Sequence, residues 1–346
     1  MARAPIFVVG ASRSGTNFVR ALVNAHSGIW MSAETHYFDD LRPRLGRGPL
    51  ADRERELCEQ YFLALAHLAY GRGGDPDQAK IDAGELRTLA VRLGSTADAY
   101  FEAFCVLRAR MHGKEIWAEK TPRHAFRIAE MLEAFPNAKI VCLVRDPRAV
   151  VASYRDWHRG GTRAGLDPED EAGLAAERAR SKRSYHPILA SLMWRGVIRA
   201  EHEALRRFGG ERIRLERFED LVAAPEPSVR ALCAWLELEF EPQMLEIPVV
   251  NSSYAGSSGP EAVDRWRVKL RPRELAAVER CCGELMEEVG YSRESPRISA
   301  PAYAAAWLTV PYATARAALA NRRRLGNALE YVRRRGTLAF SKGSIR

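Results

Sequence analysis

Residues 6–17 read Ile6-Phe7-Val8-Val9-Gly10-Ala11-Ser12-Arg13-Ser14-Gly15-Thr16-Asn17, and their order decides the fold. Four consecutive apolar residues ending on a glycine predict a strand buried on both faces. Phe18, Leu22 and Val23 follow at helical spacing. Strand, loop and helix in this order bring backbone N–H groups and a helix N-terminus together on an anion. The glycine spacing matches a Walker A loop, but Thr16 stands where that loop carries its Lys. Arg13, inside the loop, supplies the cation instead. Arg13, Ser14, Gly15, Thr16 and Asn17 are therefore candidate anion-binding residues. A nucleotide triphosphatase lacking the Lys and a clear strand-ending magnesium Asp is disfavoured. An ordinary βα turn needs neither the Arg nor the hydroxyls.

A second unit of the same kind lies at residues 139–157. Residues 140–144 read as a buried strand, Asp146 as an N-cap and Pro147 as the first helical residue. A weaker third runs from residues 212–215 through Phe218-Glu219-Asp220-Leu221 to a helix at 229–236. Residues 51–112 are mostly helical in pattern, interrupted by the glycine-rich 71–76. Residues 170–208 form a long charged helical region with Leu189, Leu192, Met193 and Val197 as its buried stripe. Residues 245–268 read as loop and 272–289 as a late helix. Strands alternating with helices predict an α/β protein, its central parallel sheet flanked by helices.

The length of 346 residues allows one large α/β domain or two modest ones, and 47% hydrophobic residues exclude a disordered chain. Six cysteines show no CxxC spacing, and Cys281 and Cys282 are adjacent, which suits neither a disulfide framework nor a zinc cluster. The first apolar run is too short for a signal peptide, so a reduced, cytoplasmic protein without a metal is expected. Net charge is +9, of which residues 321–346 carry about +7. The body is nearly neutral, and no nucleic-acid signature appears. The division expected is residues 1–295 as the main domain and 296–346 as a basic, Ala- and Arg-rich extension. In that extension Pro311 and Arg316 interrupt the Ala-rich run before two arginine triplets, 322–324 and 333–335. It falls short of the roughly 18 clean residues of a membrane span.

Val144-Arg145-Asp146-Pro147 leads on to Ser153-Tyr154, with Arg145 at a strand end and Ser153 in the following helix. Together with the Arg13–Asn17 loop, this pair resembles the two cofactor-binding motifs of sulfotransferases, which use 3′-phosphoadenosine 5′-phosphosulfate (PAPS). The resemblance implies a P-loop-like sulfotransferase fold with helical insertions. It implies that the first loop holds the 5′-phosphosulfate while Arg145 and Ser153 hold the 3′-phosphate. A fixed guanidinium and a hydroxyl suit a phosphate at one point. Ser32-Ala33-Glu34-Thr35-His36 resembles the catalytic run of tyrosylprotein sulfotransferases and implies Glu34 as the base. His36 is the rival, because many cytosolic sulfotransferases use a His.

Trp117-Ala118-Glu119-Lys120-Thr121-Pro122 resembles the family segment whose Lys meets the bridging oxygen of the donor. Lys120 would neutralise charge as the S–O bond breaks; the bland reading is a surface ion pair with Glu119. His124 reads as structural. Arg217-Phe218-Glu219-Asp220-Leu221 resembles the family's Arg-Tyr-Glu-Asp-Leu turn with Phe218 at the Tyr position, leaving packing on adenine or ribose. Asn251-Ser252-Ser253 and Arg265-Trp266-Arg267 resemble late family segments, with Ser253 touching the nucleotide. The resemblance covers about residues 5–291.

The function implied is in-line transfer of a sulfuryl group from PAPS to an acceptor hydroxyl or amine, releasing adenosine 3′,5′-bisphosphate. Glu34 would be the base, with Lys120 and Arg13 stabilising charge. The rivals are a P-loop kinase or nucleotide hydrolase, and a non-catalytic nucleotide-binding protein. A glycan, a lipid-linked sugar, a small molecule or a peptide are all open as acceptor, since no motif marks residues 38–112 or 155–208. Residues 300–346 read either as a peripheral membrane contact, at about 1 kcal/mol per basic residue near the surface, or as a solvated helical extension of the domain.

Overall fold

A computed structural model describes residues 3–67, 81–158, 171–247, 261–294 and 298–321. The break at 71–76, Ser253 and both arginine triplets lie outside the described residues. Five strands, β1 (Ile6–Gly10), β2 (Ile29–Ser32), β3 (Ile116–Lys120), β4 (Lys139–Val144) and β5 (Ile213–Arg217), form one sheet in the order β2-β3-β1-β4-β5. All of β1 and β3 is buried, as is β4 beyond its first residue, so continuous apolar runs give central strands here. β1 pairs with β3 and with β4, and β2 with β3, each in parallel. The chain leaves β1 toward one edge and returns to β4 on its other side, so the topological switch point falls between β1 and β4. Gly10 pairs with Leu143 there, and a Cβ at Gly10 would stand 2.7 Å from the Leu143 carbonyl oxygen. Only glycine fits that approach.

The early helices are α1 (Thr16–Asn24), α2 (Tyr37–Asp40), α3 (Asp52–His67), α4 (Ala83–Arg92), α5 (Ala97–Met111) and α6 (Ile128–Ala134). Asp82 and Thr96 cap α4 and α5, accepting from the backbone of Glu85 and Ala99. Next come α7 (Pro147–Arg155), α8 (Glu171–Ser184), α9 (Pro187–Phe208), α10 (Phe218–Ala223) and α11 (Pro225–Leu236). The last are α12 (Glu261–Asp264), α13 (Trp266–Lys269), α14 (Pro272–Glu288), α15 (Ala300–Leu308) and α16 (Val310–Asn321). The expected single helical region at 170–208 is two helices, because Pro187 opens a new one. Its buried stripe is also rotated. Ile188, Trp194 and Ile198 are fully buried beside Leu192 and Val197, while Leu189 and Met193 are only half-buried. The indole of Trp194 sets that orientation by donating to the Arg145 carbonyl at 2.8 Å.

The chain divides into two compact units, Met1–Leu143 with Glu201–Pro248, and Val144–Ala200 with Val249–Arg346. The first holds the sheet and an aromatic core in which Phe7 meets Trp117 edge-on at 5.6 Å and Phe38 at 6.1 Å. In the second, Ile188, Leu192, Ala277 and Cys281 form a cluster covered by Tyr303, Trp307 and Val310. All six cysteines are buried thiols. Among the described residues no helix is long and apolar enough to cross a membrane.

Candidate active site

The loop between β1 and α1 is built for an anion. Arg13 takes a left-handed conformation (φ 76°), and Gly15 caps α1 at φ 98°. No side chain caps α1 and no acid lies in its first turn, so its positive end is uncompensated from within the helix. Ser14 is fully buried, and its Oγ finds no hydrogen-bond partner among the described residues. A buried hydroxyl in that state is suited to a ligand's oxygen. Thr16 is buried at the first helical position, and Asn17 beside it is exposed. Phe218 closes the loop from behind. Its ring occupies the space a Cβ at Gly15 would need and meets Phe18 edge-on at 6.0 Å. Phe218 thus packs on the loop itself.

Glu34 and Lys120 are 86 residues apart in sequence and in direct contact. Lys120 Nζ donates to Glu34 Oε1 at 2.7 Å. His36 Nε2 lies 3.4 Å from the other carboxylate oxygen, so one carboxylate meets both groups. The Lys120 side chain is only 3% exposed against 31% for Glu34, so the ammonium is the more deeply buried member of the pair. Burial lowers the Lys120 pKa, and Glu34 opposes that shift. Burial likewise lowers the His36 pKa, again opposed by Glu34. Lys120 is therefore no surface partner of Glu119.

Glu119 has a separate task. It is fully buried and accepts from the Thr35 backbone N–H at 3.2 Å and the Thr35 hydroxyl at 2.9 Å. The Thr121 hydroxyl also donates to it, and His124 Nδ1 lies 3.2 Å from its other oxygen. Burial opposes ionisation of Glu119, but His124 and the two hydroxyls outweigh it and hold the pKa below the ordinary carboxylate value. Because Thr35 follows Glu34 and Glu119 precedes Lys120, this buried junction fixes both members of the Glu34–Lys120 pair. The parallel pairing of Ser32 with Glu119 sets its register. His124 belongs to that support.

Arg20, which no sequence motif marks, also lines the cleft beside Glu34. Its Nε donates to the carbonyls of Met31 and Ser32 at 3.3 and 3.2 Å. Burial lowers its pKa while Glu34 opposes the shift. The available signal was that Arg20 is the single charged residue of α1. Arg20, Trp30, Glu34, Phe104 and Arg108 help line a cleft of about 320 Å³, one wall of which carries Glu34.

Arg145 and Ser153 are described within the second unit. Arg145 follows β4 directly and is 7% exposed, and Ser153 is 6% exposed on α7. Asp146 is a structural cap. It accepts from the backbone N–H of Arg148 at 2.7 Å, and the Arg148 guanidinium reaches both its oxygens. The same guanidinium donates to Glu279 at 2.8 Å and lies 3.9 Å from the ring centroid of Trp266. Both carboxylate oxygens of Asp146 are thereby engaged, which is no arrangement for a magnesium ligand. Among the described residues no group of three or more His, Cys, Asp or Glu could hold a metal.

Residues 5–242 match the model of the sulfotransferase family. The chain is 28% identical over 182 residues to omega-hydroxy-beta-dihydromenaquinone-9 sulfotransferase of Mycobacterium tuberculosis, covering 51% of this chain and 42% of that protein. It is 24% identical over 287 residues to protein-tyrosine sulfotransferase of Drosophila melanogaster, covering 82% of this chain and 48% of that protein. The chain thus spans less than half the length of either relative. The fold is that of the sulfotransferase domain from the Synechococcus olefin synthase, with a TM-score of 0.50 at 21% identity over 84% of this chain and 96% of that one.

Proposed function

This chain belongs to the sulfotransferase family, and we propose that it moves a sulfuryl group from PAPS to an acceptor hydroxyl with Glu34 as base. The reading rests on one observation above the others: a carboxylate lining a cleft and bonded at 2.7 Å to a buried lysine. The residues of the loop fit an anionic donor. A buried hydroxyl without a partner, an uncapped helix N-terminus and Arg13 call for several oxygens of negative charge. Bound there, PAPS would supply the sulfuryl group and an anionic leaving group. Arg13, Ser14, Gly15, Thr16 and Asn17 would hold its 5′ end. Arg145 and Ser153 would hold the 3′-phosphate, the role their resemblance to the family's second motif implies, and a guanidinium with a hydroxyl suits that group.

The chain's own groups then divide the work. Glu34 takes the proton of the acceptor hydroxyl, and His36, kept neutral by burial, steadies the second carboxylate oxygen. Lys120 offers positive charge where negative charge grows, and burial strengthens that effect. Glu119 holds both in place through Thr35 and the strand backbone. The named relatives are enzymes for an omega-hydroxy-beta-dihydromenaquinone and for protein tyrosine, and a hydroxyl is the acceptor group that suits a carboxylate base here. Incubating the full chain with PAPS and a mixed set of hydroxyl acceptors should release adenosine 3′,5′-bisphosphate, and the Glu34→Gln chain should not. Magnesium-dependent ATP turnover with no consumption of PAPS would overturn the reading.

A further inference from the structure

Residues 298–321 use only one helical face for packing. Tyr303, Ala306, Trp307 and Val310 cover the cluster of Ile188, Leu192, Ala277 and Cys281, and Ala313 and Ala317 are buried. The opposite face is bare. Leu308 is 81% exposed, Tyr312 70% and Leu319 65%. With Val268 these are the most exposed large apolar side chains among the described residues. Positions 312, 315 and 319 share one side of α16, so the exposure is a stripe.

The stripe is held firmly. Arg316 donates to the carbonyls of Arg183 and Tyr185, each at 3.0 Å. Asn321 donates to the Ser184 hydroxyl at 2.9 Å and accepts from Arg180 at 2.6 Å. These bonds fasten α16 to the end of α8, where Lys182 and Arg183 are exposed. No Asp or Glu occurs from residue 295 to 329, and Arg322-Arg323-Arg324 follows Asn321 in the sequence.

An apolar stripe bordered by cations and free of acids has the chemistry of a bilayer-docking surface. We propose that α15 and α16 seat the enzyme on an anionic lipid surface, with Leu308, Tyr312 and Leu319 entering the headgroup layer. A second copy of the chain is the weaker occupant, because pairing this face with itself would oppose like charges. The inference does not depend on which donor the enzyme uses.

Co-sedimentation of the full chain with vesicles tests it. The protein should pellet with phosphatidylcholine vesicles containing phosphatidylglycerol at low ionic strength, and release at high ionic strength. Pure phosphatidylcholine should retain about tenfold less. Leu308→Asp with Leu319→Asp, both at exposed positions, should lower binding to anionic vesicles about tenfold or more. Leu93→Asp, at an exposed site of the first unit, should leave it unchanged. Light scattering without vesicles should give one mass for all variants. Failure to pellet, equal binding to neutral vesicles, or full binding by the double variant would each overturn the proposal. So would a dimer that the double variant dissolves, which would assign the face to a second copy.

Discussion

Lys120 Nζ lies 2.7 Å from Glu34 Oε1, joining the end of β3 to the segment after β2 across 86 residues of sequence. The pair couples the group proposed to accept a proton with the group proposed to meet the leaving phosphate. Removing either should therefore impair chemistry far more than binding.

Glu34→Gln keeps the shape and one acceptor oxygen but loses the base. Turnover should fall by roughly 10²–10⁴, with donor affinity little changed. His36→Gln should keep most of the activity. Steady-state kinetics on both variants separates the two candidates: an active Glu34→Gln chain beside an inactive His36→Gln chain would move the base to His36.

Glu119 should matter for stability. Glu119→Ala leaves the Thr35 N–H, the Thr35 and Thr121 hydroxyls and His124 without their shared buried acceptor. Urea unfolding should show a loss on the order of 3–5 kcal/mol, the range for breaking a buried charged network. Glu119→Gln keeps an acceptor oxygen and should recover part of it. A loss within experimental error for Glu119→Ala would remove the junction from the account.

The third prediction concerns pH. Burial holds the His36 pKa below the ordinary imidazole value of 6.5, with Glu34 and Asp40 opposing and Arg123 and His124 adding to the shift. The folded chain then binds fewer protons at this site than the unfolded chain. Its contribution is complete above pH 6.5 and is lost as pH falls below that value. The melting temperature of the native chain should accordingly drop more steeply on acidification than that of His36→Gln. Parallel curves for the two would contradict the burial argument.

Much of this was legible in the sequence because it is local. The apolar run of β1, the glycines of the loop and the Asp146-Pro147 start of α7 each declare themselves within a few residues. What escaped depends on contacts between distant segments. The bland reading of Lys120 as a surface partner of Glu119 fails because the register of β2 on β3 turns Glu119 to Thr35 and gives Lys120 to Glu34. The packing of the Phe218 ring over Gly15 is likewise a contact between segments about 200 residues apart that no local pattern announces. The buried stripe of α9 differs from the one its aliphatic periodicity predicts because Trp194, whose indole bonds the Arg145 carbonyl, sets the rotation of the helix. Arg20 was passed over because one cation on a helix carries no signature of its own.

Arg145 carries the last variant prediction. Arg145→Ala should weaken adenosine 3′,5′-bisphosphate by on the order of tenfold to a hundredfold, the value of one charge-assisted contact. Adenosine 5′-phosphate should bind this variant about as it binds the native chain. Equal losses for both nucleotides would mean that Arg145 supports the fold and does not read the 3′-phosphate.

The most direct test of a PAPS-type donor site is calorimetric titration of the native chain with three nucleotides. Adenosine 3′,5′-bisphosphate should bind without a divalent cation, and at least about tenfold tighter than adenosine 5′-phosphate. ATP with magnesium should bind more weakly than the bisphosphate. Magnesium ATP binding as tightly as the bisphosphate, or a bisphosphate no better than adenosine 5′-phosphate, would contradict the account.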